Sequence, residues 1–227
     1  MVESSGQANF TELDGGEQDV FGKATAVQVL GGTLVIESGG IASENTVLGG
    51  REIVSAGGSD VGALVLVGEQ DVFGSATNVE VDFGGSPVVE SGGLASGTTV
   101  NGGEQDVFGT ASGATVFAGS QVVESGGIVS GTTINSGGLE VVSANGFDVG
   151  ALINSGGEQD VSGGALAISA TINSGGTEIV KGTTIDTTIS AAGDRIAGEG
   201  CAGADFEDTG GFDEAPAKPS PPAPIRV

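Results

Sequence analysis

Apolar residues return along this chain in blocks about eighteen residues apart, and no 3.6-residue helical pattern is visible. Units aligned on the Gly pair that opens each one start at Gly15, Gly31, Gly49, Val67, Gly84, Gly102, Ala118, Gly137, Gly156 and Gly175, with a mean spacing of about 17.8 residues. The sixth position of the unit reads Val20, Ile36, Val54, Val72, Val89, Val107, Val123, Val142, Val161 and Val180, so it is β-branched every time. A second column before the next Gly pair reads Val29, Val47, Val65, Val81, Val100, Val116, Ile134, Ile153 and Ile172. Two stiff β-branched columns separated by Gly-rich and Ser/Asn/Thr-rich turns predict two short strands per unit facing one interior. The period is too short for a helical-hairpin repeat. The architecture that satisfies both columns is all-β: a single-stranded parallel β-helix of about ten coils, stacked at ~4.8 Å into a rod roughly 48 Å long.

The remaining positions agree with this register. Gly pairs supply corners with positive φ, and Ser, Asn and Thr side chains can bond the turn backbone. The tetrapeptide Glu-Gln-Asp-Val recurs at Glu17 to Val20, Glu69 to Val72, Glu104 to Val107 and Glu158 to Val161, never in consecutive coils. Its Asp residues are thereby kept about 10 Å or more apart, near the Debye length at moderate salt. Residues 1–192 are expected to form the repeat domain, and residues 193–227 an acidic and then Pro-rich tail or linker, disordered and holding five of the six prolines. Val2 already falls in the β-branched column, which leads to the expectation that Met1 begins in mid-coil and that the chain is a fragment of a longer protein.

Composition narrows the chemistry. The 227 residues include 45 Gly and 9 Phe but no His, Tyr or Trp, so mechanisms built on an imidazole base or a His-ligated zinc are excluded. Thirty Asp and Glu against six Lys and Arg leave a net charge of −24, which repels phosphate backbones, and the rings on which bases stack are missing. No nucleic acid partner is expected, and no membrane insertion by this chain itself, since no apolar run approaches the ~18 residues of a span. A lone Cys201 permits no internal disulfide.

Ser91 to Gly103 and Ser125 to Gly138, with their Ser-Gly-Gly, Thr-Thr-Val-Asn and Thr-Thr-Ile-Asn segments, resemble the strand-loop-strand repeat of AIDA-type autotransporter passenger domains. The resemblance covers roughly residues 2 to 190. It implies a bacterial surface or secreted β-helix engaged in adhesion, autoaggregation or biofilm formation, with host or bacterial surface molecules, or a second copy, as partners. It also implies glycosylation on Ser and Thr in some members.

The Glu-Gln-Asp segments are the only recurring polar constellation. They are read as a solvated face rather than a Ca²⁺ stripe, since neither an Asp-x-Asp-x-Asp-Gly loop nor a Gly-Gly-x-Gly-x-Asp nonapeptide is present; on this reading Gln105→Ala should be nearly silent. Carboxylate pairs for glycoside hydrolysis are available, but no aromatic platform accompanies them and nothing marks out one pair. No catalytic, cofactor-binding or metal-ligating residue is therefore assigned and no cofactor is expected. A non-enzymatic stalk or adhesive segment is the expected function, with a polysaccharide-degrading β-helix or an acidic calcium-dependent scaffold as alternatives. Phe21, Phe73 and Phe108, each following the Val column, are expected to pack locally.

Overall fold

The computed structural model describes residues 1–198, together with the backbone of two further strands, Ala202–Asp208 and Phe212–Glu214. It is an all-β parallel solenoid of about 11 turns with ~18-residue spacing. All strand pairs are parallel, each strand pairing with its counterparts one coil before and one coil after. The coil length varies: Glu17 pairs with Thr33, 16 residues on, whereas Glu158 pairs with Thr177, 19 residues on. The stack continues past residue 192, because Asp194–Ala197 pairs in register with Thr177–Val180. The Pro-rich tail and Cys201 lie outside the described residues.

Each coil holds three strands, not two. In one coil these are Arg51–Val54, Ser59–Val61 and Leu64–Val65. The extra strand escapes a search for β-branched columns because its inward position is mostly alanine: Ala24, Ala42, Ala76, Ala95, Ala111 and Ala167 are all buried. The two expected columns are interior throughout, from Val20 and Val29 to Val180 and Ile189. A further interior column is polar. It runs through the fourth position of the unit, Gln18, Glu52, Gln70, Gln105, Gln121, Glu140, Gln159, Glu178 and Arg195, all buried, and is interrupted by Leu34 and Pro87. Small alanines on the second strand leave room for these long side chains to cross the interior.

Corners explain the remaining glycines. Between first and second strands a four-residue turn such as Glu90 to Gly93 closes with Gly93 N–H donating to the Glu90 carbonyl at 2.7 Å. Gly92 there sits at φ +88°, and Gly93 is required for a different reason: a Cβ would lie 1.9 Å from the Val72 carbonyl oxygen of the coil below. Other coils use a two-residue corner, Phe21-Gly22, Phe73-Gly74 or Phe108-Gly109. These nest on the wide turn of the preceding coil, the Gly109 α-carbon being so close that a Cβ would stand 2.3 Å from the Glu90 carbonyl oxygen. Phe21, Phe73 and Phe108 at these corners are exposed, at 38 to 41%.

Candidate functional site

The described surface is made of three ribbed faces and their corners. On the first face, the Glu and Asp of the Glu-Gln-Asp segments alternate with the buried Gln, and are partly or fully exposed except Asp71, which is buried. The stripe is partly neutralised. Arg51 reaches Asp71 in a short ion pair and Glu69 at 3.7 Å, and Lys181 Nζ lies 3.0 Å from Asp160. Among the described residues no cation is paired with Asp106, and burial together with Glu104 and Glu124 raises its pKa. Among the described residues, no group of three or more His, Cys, Asp or Glu is placed to hold a metal ion.

A second corner, between second and third strands, carries one left-handed residue in every coil: Phe10, Ala26, Glu44, Gly62, Asn78, Gly97, Gly113, Gly131, Gly150, Ser169 and Asp186. Each N–H in this column that is matched above donates to a carbonyl one coil on, as Gly97 does to Ser112 at 2.9 Å. Flanking it are two ladders of outward hydroxyls, Thr77, Ser96, Ser112 and Ser130 on one side and Thr99, Thr115 and Thr133 on the other. Ser96 donates to Thr77 Oγ1 at 3.4 Å. At the third corner an amide ladder runs Asn173 to Asn154 at 2.8 Å and Asn154 to Asn135 at 3.0 Å. Two shallow grooves lie along the corners, one of about 310 Å³ beside Phe10, Ala26 and Glu44 and one of about 460 Å³ beside Gly57, Phe73 and Leu94.

The correction concerns the glutamines. Gln105 is buried, donating to Thr98 Oγ1 at 3.1 Å and accepting from Gln121 Nε2 at 2.8 Å, while Gln121 in turn accepts from Thr132. It belongs to an internal hydrogen-bond ladder, so Gln105→Ala cannot be silent. The period-2 alternation of a strand with Glu and Asp on its outer side places the intervening Gln inside.

The same interior contains carboxyls. Glu52 and Asp60 meet around Gln70, whose Nε2 donates to Glu52 at 3.3 Å and to Asp60 at 3.1 Å, and Asn45 Nδ2 reaches Asp60 at 3.5 Å. Glu140 and Asp148 meet in the same way around Gln159, at 2.6 and 2.9 Å. Burial and then the charge of Asp60 hold Glu52 well above the usual carboxylate range, and burial raises Asp60 to about 6. Glu140 and Asp148 behave alike, the latter reaching about 6. Glu178, 3.2 Å from Arg195 Nε, is raised to about 7 because burial outweighs the guanidinium.

These features define a passenger-type parallel β-solenoid. No family model and no curated protein matches the sequence. Among solved structures the chain is similar to the crystal structure of a TibC-catalysed, hyper-glycosylated TibA55-350 fragment, at 35% identity and a TM-score of 0.88, covering 92% of this chain and 82% of that one. The chain belongs to the AIDA-type autotransporter adhesin passenger family.

Proposed function

We propose that the chain is an adhesive segment, displayed at a bacterial cell surface or released from it, that binds through its elongated outer faces. The similarity to an adhesin passenger over 92% of the chain carries this reading. The ribbed outer faces of the described residues support it. Its partners are host or bacterial surface molecules, including a second copy of itself, and its cellular outcomes are autoaggregation and biofilm formation. The test is display of the full chain on a non-adherent bacterium, followed by settling and attachment assays. Faster settling or attachment above the empty display scaffold is the expected result, and behaviour equal to the scaffold's overturns the reading. Turnover of any polysaccharide in a panel, lost on a single carboxylate substitution, would place the protein among enzymes instead.

A second reading concerns modification. The similar fragment is hyper-glycosylated, and the hydroxyl ladders Ser96, Ser112 and Ser130 here present outward side chains at strand spacing, with Ser112 and Ser130 exposed. We infer that these ladders are glycosyl acceptors. Co-expression with TibC should add monosaccharide-sized increments to the intact mass, reduced in a triple Ser→Ala variant; an unchanged mass overturns this.

A further inference from the structure

The interior of the solenoid holds two clusters of the same construction. Glu52 of Arg51–Val54 and Asp60 of Ser59–Val61 lie in one coil, and Gln70 of the next coil bridges them. Glu140 of Gly138–Val142 and Asp148 of Phe147–Val149 lie in another coil, bridged by Gln159 of the next. The sequence offset between Glu and Asp is identical in the two, eight residues. All six side chains are 0% exposed.

Counting donors exposes what is missing. In the first cluster Gln70 Nε2 and Asn45 Nδ2 donate to the carboxyls and the Val61 and Ala63 backbone N–H groups donate to Asp60, while Glu52 Oε2 has no hydrogen-bond partner. In the second Gln159 Nε2 donates to both carboxyls, the Val149 and Ala151 backbone N–H groups donate to Asp148 and the Thr132 hydroxyl lies beside Glu140, while Glu140 Oε1 and Asp148 Oδ1 meet no donor. Two buried anions side by side with no cation are costly, and each orphan oxygen adds to that cost. Among the described residues the titratable group facing Glu52 is Asp60; its column neighbours are Leu34 and Gln70, those of Asp60 are Ala42 and Ala76, and Arg51 is directed outward to Asp71. Around Glu140 and Asp148 the column neighbours are Gln121, Gln159, Val129 and Ala167, and the further charged groups are Glu178 and Arg195, paired with one another.

We propose that each Glu–Asp–Gln cluster is an acid-closed latch: a retained proton supplies the missing donor, and its loss in alkaline medium loosens the coils around residues 51–72 and 138–161. No bond other than O–H changes, and the proton goes to solvent. The raised values given above set the sign. A carboxyl whose folded value lies above its unfolded value stabilises the fold fully below the unfolded value, near 4, and that contribution is lost as pH rises through the folded value, about 6 for Asp60 and Asp148. A rise from 3.8 to about 6 corresponds to a fall of about 100-fold in the folding equilibrium constant for each such group.

The test is hydrogen exchange of the full chain, resolved by mass spectrometry and corrected for intrinsic rates, at pH 5, 6.5 and 8, beside urea midpoints at the same values. Protection at 51–72 and 138–161 should fall toward pH 8 ahead of the intervening coils, and the urea midpoint should fall with it. Glu52→Gln and Glu140→Gln replace an acid by the amide that the same column carries at Gln70 and Gln159, and should flatten the pH dependence and raise the midpoint at pH 8; exposed Glu69→Gln should leave the slope unchanged. A uniform loss of protection along the rod in the unmodified chain overturns the latch whether or not the variants fold. So does a chelator-induced loss of stability at pH 7 that disappears in Glu52→Gln, which would put a cation where the proton is proposed.

Discussion

Gln105 illustrates what one residue does when its neighbours are one coil away. Its amide is buried, with Thr98 and Gln121 as partners, and truncation would remove its volume and strand both. Gln105→Ala should therefore destabilise by about 2 to 4 kcal/mol in a urea titration, whereas Glu104→Ala beside it, exposed, should stay within about 0.5 kcal/mol. The left-handed corner column invites the opposite experiment. Ala26 sits at φ 55° where coils above it use Gly97, Gly113 and Gly131. An L-residue there costs about 1–2 kcal/mol, partly offset by the greater chain entropy of glycine, so Ala26→Gly should raise stability by about 0.5 kcal/mol. Gly97→Ala should lower it, since its Cβ would also stand 2.7 Å from Asn78 Oδ1.

At the scale of the strand and its corner, stacking converts each side chain into a member of a ladder. Val107 lies between Val89 and Val123, fully buried. Val107→Asp would place an unpaired carboxylate there and should cost at least about 3 kcal/mol, seen as a lower denaturation midpoint. The alternation of two- and four-residue corners is also an element-level property. A tight Phe-Gly corner fits because the coil beneath makes a wide one, so the Gly109 backbone lies against the Glu90 and Gly93 carbonyls.

Across the whole molecule, the formal charge is −24, and on the described rod Arg51 and Lys181 neutralise parts of one face. Self-repulsion of this kind is screened by salt, the Debye length shrinking from about 30 Å at about 0.01 M to about 3 Å at about 1 M. The melting temperature should rise over that range, and a flat or falling response would mean that the ion pairs dominate. Lowering pH from 8 to 5 should act in the same direction through the interior carboxyls, so the rod is expected to be firmest in mildly acid medium.

Most of the fold was legible because a solenoid repeats its sequence when it repeats its coil: the spacing, the Val and Ile columns and the Gly pairs all follow from one-dimensional periodicity. The second strand was not, since alanine carries no strand signal and Ala76 or Ala111 is interior only because longer side chains cross toward it. Nor was the division of labour within Gly92-Gly93, where one glycine serves its own φ and the other serves the carbonyl of Val72 in a different coil. The sequence by itself determined the period, the class of fold and the absence of imidazole chemistry. Only the tertiary structure decided that glutamines and acids such as Glu52, Asp60, Glu140 and Asp148 share the interior, because their partners lie eight to nineteen residues away and meet only when coils close and stack.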